Sequence, residues 1–203
     1  MQRERPYHHG HLKQTLVRAA VKVLAKRGPR GFTLREVARQ AKVSHNAPYR
    51  HFRDKDELLA AVAGDGFEKL ADSMIAAAAN ARTALQTLEW SGLGYVRFAL
   101  GWPEHFSAMF DYGQDLSAYP EYAASGRRAF QVLLDNIVAV QKARKMPPGD
   151  PQPLALVAWS LVHGIAKLAI AKRLPLESAD AILRFTEFAT RALGNGLSNV
   201  GSL

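Results

Sequence analysis

Three helix-start signals crowd into the stretch TLREVARQAKVSHNAPYRHFRDKDELL, residues 33–59. Thr33 with Glu36 three places on makes a capping box, in which a hydroxyl accepts from a backbone N–H and the acid reaches back. Leu34, Val37 and Ala41 then recur at helical spacing. That helix ends near Lys42-Val43, where Ser44 is placed to cap a second one running from His45 to Phe52. Pro48 is tolerable there because first-turn N–H groups have no helical partners. Asp54, with Glu57 at its third position, opens a third helix. Starts this closely spaced predict two short helices joined by a tight turn, with another helix leaving at once.

Helix, short turn, helix at this spacing is the helix-turn-helix unit, whose second helix enters the DNA major groove. The stretch also resembles the TetR family of bacterial transcriptional regulators. The resemblance rests on Thr33, the pair Val43-Ser44, the run Tyr49-Arg50-His51-Phe52 and the run Lys55-Asp56-Glu57-Leu58. With the preceding helix it covers roughly the first sixty residues, too many in register for accident. Two positions depart from the pattern. Asn46 stands where many members carry Gly, and Pro48 where Thr or Leu is usual. Both are base-facing positions in the family, so they bear on which operator is read.

Charge supports the same conclusion independently. Residues 1–55 hold fourteen Lys and Arg against Glu4, Glu36 and Asp54, a surplus of eleven positive charges. The other thirteen bases and fifteen acids leave residues 56–203 at −2, so the net +9 belongs to the N-terminal end. One basic end is the electrostatic footprint of a phosphate backbone.

Side-chain chemistry sorts the candidate DNA contacts. His45 and Asn46 lie in the first turn of the second helix, and Asn suits the paired acceptor and donor of adenine. Ala47 and Pro48 share that turn, and Pro48 stiffens the tip. Tyr49, His51 and Lys55 are expected to contact phosphates, with Ser44 and Thr33 adding hydroxyl and backbone donors and Arg35 beside them. His51 fits equally the pattern of a buried, satisfied histidine. Lys55 opens its helix, where the macrodipole disfavours a cation by roughly 0.3–1 kcal/mol; a phosphate on the same helix end would account for it. Phe52, Val37, Val43 and Leu58 are expected in the core.

At 203 residues, 48% hydrophobic and 22% charged, the chain has the composition of an ordinary globular protein of one or two small domains. It contains no cysteine, which excludes disulfides and thiolate metal sites. The opening MQRERPYHHG has no apolar stretch, so no signal peptide is expected. It forms a basic arm of the kind that lies along a duplex. His8, His9 and His11 lack an acidic or Cys partner, and no metal is expected. Apolar residues from Leu12 to Leu24 make a first helix, closed by Gly28. Beyond Asp54 the third helix is expected to run to about Asn80. Helices then follow over residues 83–101, 103–112, 120–145, 154–173 and 177–193, with a fraying tail. The predicted fold is all-α: a three-helix, helix-turn-helix DNA-binding domain over 1–59, then a helical effector-binding and dimerisation domain over 60–203.

The stretch Leu154–Ala171 is apolar on two sides. Leu154, Val157, Leu161 and Leu168 form one stripe, Trp159, Val162, Ala166 and Ile170 another. Ser160, His163 and Lys167 interrupt it, so a membrane span is not expected. Two stripes need two covers, one from the same chain and one from a second copy. The last helix, with Ile182, Phe185, Phe188, Ala189 and Ala192, repeats the pattern. In TetR-like proteins the final two helices of each subunit pair into a four-helix dimer interface, which the resemblance implies here.

Aromatic residues gather in the middle helices. Trp90, Tyr95, Trp102, Phe106, Phe110, Trp159 and His163 are the candidate lining of an effector pocket, with Phe130 nearby. Plain core packing is the competing explanation for each. Gly92, Gly94 and Gly164 each weaken a helix by about 1 kcal/mol, which is consistent with making space there. The run Trp159 to Gly164 is similar to a TetR subgroup with a C-terminal W-H-G signature, as are YHHG (7–10) and SHNAPYRHF (44–52).

These observations predict a cytoplasmic, dimeric transcriptional repressor on a palindromic operator in double-stranded DNA, released by a small apolar effector. The alternative is a DNA-binding regulator without a small ligand, controlled by a protein partner or acting as an activator. No G-x-S-x-G, H-E-x-x-H or G-x-x-x-x-G-K-[ST] motif occurs, and Gly92-x-Gly94 lies inside a helical pattern, so no catalytic residue or cofactor is expected.

Overall fold

The structure, a computed structural model, describes residues 9–112 and 115–198, without the side chains of residues 9–11 and 116. The N-terminal arm before residue 9, His8 included, lies outside it. All regular structure among the described residues is helical. The order is α1 (His9–Arg27), α2 (Leu34–Ala41), a 3-10 turn (Pro48–Arg50), α3 (Lys55–Ala78), α4 (Ala84–Gly101), α5 (Pro103–Phe110), a second 3-10 turn (Leu116–Ala118), α6 (Pro120–Lys142), α7 (Gln152–Ile170) and α8 (Ala179–Leu197).

Short polar side chains set the helix starts. Thr33, Thr83 and Ser178 accept from the backbone N–H three residues on, at 3.2, 3.1 and 3.1 Å. Asp54 does the same for Glu57 at 2.8 Å. The box at Thr33 is half-formed, because the Glu36 carboxylate turns to Arg39 at 2.6 Å. Gly28, at φ 63°, closes α1 through its N–H to the Leu24 carbonyl. Lys42 takes the same left-handed conformation after α2, at φ 56°. Its N–H bonds Arg39 and that of Val43 bonds Ala38, the pairing of a Schellman stop. Residues 194–197, expected to fray, continue α8.

The chain divides into two compact units. The first runs through Asp65 and returns for Glu104–Ala123; the second holds Gly66–Pro103 and Ala124–Leu203. The boundary expected after residue 59 is therefore displaced. Leu59, Ala60, Ala61 and Val62 are buried in the first unit's core together with Ala108 and Tyr122, so the early turns of α3 belong to it. That core is built on Leu16, Ala20, Phe32, Val37, Phe52 and Leu58, all at 2% exposure or less.

In the second unit α4 packs against both α7 and α8, which also pack on each other. Two glycines let neighbours come close to α4, Gly94 on its α3 side and Gly92 on its α7 and α8 side. A Cβ on Gly94 would lie 2.5 Å from the Ser73 carbonyl oxygen and 2.8 Å from the Met74 Cα. One on Gly92 would lie 2.9 Å from a Thr190 methyl. The space expected around Gly92 and Gly94 is thus filled by neighbouring helices, whereas Gly164 has nothing within 4 Å of such a Cβ.

Backbone atoms cannot yield as a flexible side chain can. Gly94→Ala should therefore lower stability by about 1–3 kcal/mol, read as a shifted urea midpoint, while Gly164→Ala should not destabilise the protein.

Candidate functional site

From Ser44 to Phe52 the chain makes turns in place of the expected α-helix. The N–H groups of Ala47, Arg50 and His51 bond the carbonyls three residues back, at 3.0, 3.3 and 2.9 Å. Pro48 supplies the reason. It has no N–H to give the Ser44 carbonyl, and Ala47 takes that acceptor one residue early, tightening the turn. Ser44 is not the cap predicted for it: Ala47 occupies the N-cap position and makes no side-chain cap bond.

This tightening rotates two expected contacts inward. Ala47 and Pro48 are buried, Ala47 within the core cluster, and the 3-10 turn packs on α2. Their side chains brace the turn from behind instead of facing outward. Ser44, His45 and Asn46 are exposed, and so are Thr33 and Arg35 at the start of α2. Tyr49 is 53% exposed. His51 is half-buried, between the two environments foreseen for it. Phe52, Val37 and Leu58 are in the core as expected, and Val43 packs against it.

Lys55 is the first residue of α3 and is exposed. Asp54, Asp56 and Glu57 surround it and offset the cost of a cation at that helix end. Glu57 is itself occupied: one carboxylate oxygen accepts from the Arg53 backbone N–H at 2.7 Å and from its Nε–H at 3.2 Å. Arg50 and Arg53 are exposed on the same short stretch. In the sequence both register only as charge, since spacing alone gives neither a role.

The aromatic candidates do not form one group. Phe106 and Phe110 belong to the first unit, with ring centroids 5.0 Å apart, and Phe106 is wholly buried. Trp102 is 47% exposed, with the Lys69 ammonium 5.8 Å from its ring. Trp90 is half-buried on α4. Tyr95, Trp159 and His163 do come together in the second unit. Trp159 and His163 lie one helical turn apart on α7, and Tyr95 meets them from α4. The Trp159 indole N–H donates to Tyr95 Oη at 3.2 Å, and Tyr95 Oη lies 2.9 Å from His163 Nδ1. Phe130 stands edge-on to Trp159, centroids 6.4 Å apart. Burial raises the Tyr95 phenol well above its ordinary range, so it stays a neutral hydroxyl. Sequence reasoning did not single out a second polar pair, His105 Nε2 with Asp65 at 2.9 Å in the first unit.

Residues 16–62 match the bacterial regulatory proteins of the tetR family, and residues 88–193 match the tetracyclin repressor-like C-terminal domain. The chain belongs to the TetR family. Among solved structures, a protein of unknown function from Rhodococcus sp. RHA1 is 33% identical, with a TM-score of 0.83 over 97% of this chain and 100% of that one. A tetR-family regulatory protein from Rhodococcus RHA1, 23% identical, shares the fold at a TM-score of 0.69, covering 90% of this chain and 97% of its own. An HTH-type transcriptional repressor of Mycobacterium tuberculosis is 35% identical over 60 residues, which is 30% of this chain and 32% of that repressor. The chain thus spans about a third of that relative's length. Membership makes this chain a transcription regulator of the helix-turn-helix class, with the TetR N-terminal match enclosing the Ser44–Lys55 turn.

The TetR C-terminal match contains the Tyr95 trio, whose two hydrogen bonds are mutually compatible if Tyr95 donates to an unprotonated His163 Nδ1. Nitrogen-15 NMR should then show His163 as the Nε2–H tautomer near neutral pH. Tyr95→Phe, which withdraws the shared hydroxyl, should cost about 1–2 kcal/mol in urea unfolding.

Proposed function

We propose that this TetR-family chain is a cytoplasmic, homodimeric transcriptional repressor. It reads a palindromic operator through the Ser44–Lys55 turn and is released by a small apolar effector. One observation carries the proposal. His45, Asn46, Tyr49 and Lys55 face solvent on a turn whose other side, Ala47, Pro48 and Phe52, is anchored in a core. Such a turn offers base-edge donors and acceptors at its tip, flanked by phosphate-binding groups. Asn46 and His45 read bases in this proposal. Tyr49, His51, Lys55, Ser44, Thr33 and Arg35 contact the backbone. The name of the mycobacterial relative supports repression.

Dimerisation draws on the second unit. Leu156, Val157 and Leu168 on α7 and Phe185 and Phe188 on α8 are exposed, Phe188 at 68%. A second copy covering them would set two reading turns about 34–36 Å apart, or somewhat more, on successive grooves. Trp90, Tyr95, Trp159 and His163 are the proposed effector-facing residues. The mutual hydrogen bonding of the Tyr95 trio also favours a second reading, a solid core without a small ligand. Regulation would then come from a protein partner, or the chain would act as an activator.

Selection from random duplex DNA should return a palindrome. On that site Lys55→Ala and Tyr49→Ala should weaken all sequences alike, and each should flatten the salt dependence by up to about 0.9 for every phosphate it no longer engages. Changing Asn46 should instead alter base preference at one half-site position. Phe188→Glu should yield monomers by light scattering; persistence of the dimer would refute the α7–α8 interface.

A further inference from the structure

Residues 119–122, far along the chain from the reading turn, belong to the same compact unit as it does. They hold two of its cations in different ways. Lys13 is absorbed: its ammonium is 3.0 Å from the Glu121 carboxylate and 5.4 Å from the centre of the Tyr122 ring. Arg53 is stationed but not consumed. Its guanidinium lies 5.6 Å from the Tyr119 ring centroid, and its Nε–H donates to Glu57. Its side chain remains 71% exposed. A guanidinium carries five N–H donors in a planar fork, and among the described residues its Nη edge takes no hydrogen bond. A free Arg side chain gives up rotamer entropy on meeting a phosphate. Held at Nε by a carboxylate and across its face by a ring, Arg53 has already given up part of that freedom.

We propose that Arg53 is a further DNA-phosphate contact of the reading turn, and that Tyr119 is a positioning residue that aims it. The inference rests on the DNA-binding reading above and adds a ligand-contacting cation next to Tyr49, Arg50 and Lys55. Through Tyr119, a residue more than sixty positions away in sequence helps fix the phosphate grip. The aromatic face matters, not the hydroxyl, because attraction of a cation to a ring needs only its π-electrons.

The test measures affinity for the selected operator by fluorescence anisotropy across a salt series. It compares the full-length protein with R53A, Y119F, Y119L and the double variant R53A/Y119L. Leucine keeps apolar bulk at position 119 but removes the ring face. R53A should weaken binding about tenfold and flatten the slope of log affinity against log salt by about 0.9, the change that accompanies one fewer neutralised phosphate. Y119L should move the slope in the same direction and weaken binding about two- to fivefold. Y119F should match the parent, and the double variant should match R53A. An unchanged slope for R53A overturns the contact. Additive losses in the double variant, or equal losses for Y119F and Y119L, overturn the positioning role. If the parent protein binds no duplex in a salt-dependent way, the DNA reading itself fails first.

Discussion

Everything proposed at the reading turn depends on the packing behind it. A single 3-10 turn has poor hydrogen-bond geometry and no length over which to gain cooperativity, so it cannot hold its shape alone. Here the burial of Ala47, Pro48 and Phe52 supplies what the backbone lacks. Each fully buried aromatic or aliphatic side chain contributes about 1.5–3 kcal/mol, and Phe32, Val37, Phe52 and Leu58 all qualify. The capped end of α3 then closes the turn, with Asp54 and Glu57 bonding the backbone on either side of Lys55. A rigid base under an exposed polar tip is what recognition of base edges requires, because flexible side chains would lose binding energy to ordering.

The second unit solves a different problem with α4 at its centre. That helix packs on α7 and α8, with Gly92 set against the Val162 and Thr190 side chains, while Gly94 admits the α3 backbone at Ser73 and Met74. Several hydroxyls in that interior bond backbone carbonyls, though the buried Ser91 hydroxyl has no partner among the described residues. The Thr186 hydroxyl donates to the Ile182 carbonyl at 2.8 Å, and that of Thr190 to Glu187 at 3.2 Å. The Ser73 hydroxyl reaches the Gly94 carbonyl at 2.8 Å. In the Tyr95 trio, side chains on two helices bond one another through the single Tyr95 hydroxyl. It orders the interior, and any effector bound there would have to work with those bonds or exchange them for its own.

Much of this is legible in the sequence, and the parts that are not have identifiable causes. Helix starts are readable because Thr33, Asp54 and Thr83 act on N–H groups three residues away, and stops because Gly28 tolerates a left-handed backbone; the last helix, expected from 177, starts at Ala179 behind a Ser178 cap. Core positions such as Val37, Phe52 and Leu58 follow from periodicity. The second helix of the reading unit departs from expectation because Pro48 does more than fit a first turn. Its missing N–H also deprives the Ser44 carbonyl of its α-helical partner and turns Ala47 and Pro48 inward. The unit boundary differs because no composition change marks Leu59–Val62. The return of Glu104–Ala123 to the first unit is a long-range contact that periodicity cannot show. The split of the aromatic candidates follows from that same return, which takes Phe106 and Phe110 with it.

The apolar outer side of α7 and α8 admits two covers in principle, lipid or protein. By length and mean hydropathy of 1.6, α7 could cross a bilayer, and 39% of its most apolar window is buried. Its neighbours argue against lipid. Gln152 and Ser160 are exposed on α7 itself. On α8, Arg184 and Arg191 are exposed alongside Phe185 and Phe188, and Arg191 pairs with Glu187 at 2.7 Å. A charge in the hydrocarbon costs at least about 2.5–3.5 kcal/mol even on lenient scales, so a surface alternating Phe with Arg is poorly matched to lipid. A protein partner has no such difficulty, because charged groups can sit at a wet rim while Phe188 and Leu156 fill a dry centre. The α7–α8 side therefore has the composition of a subunit interface, and the apolarity that makes α7 look like a span is what a twofold pairing would consume.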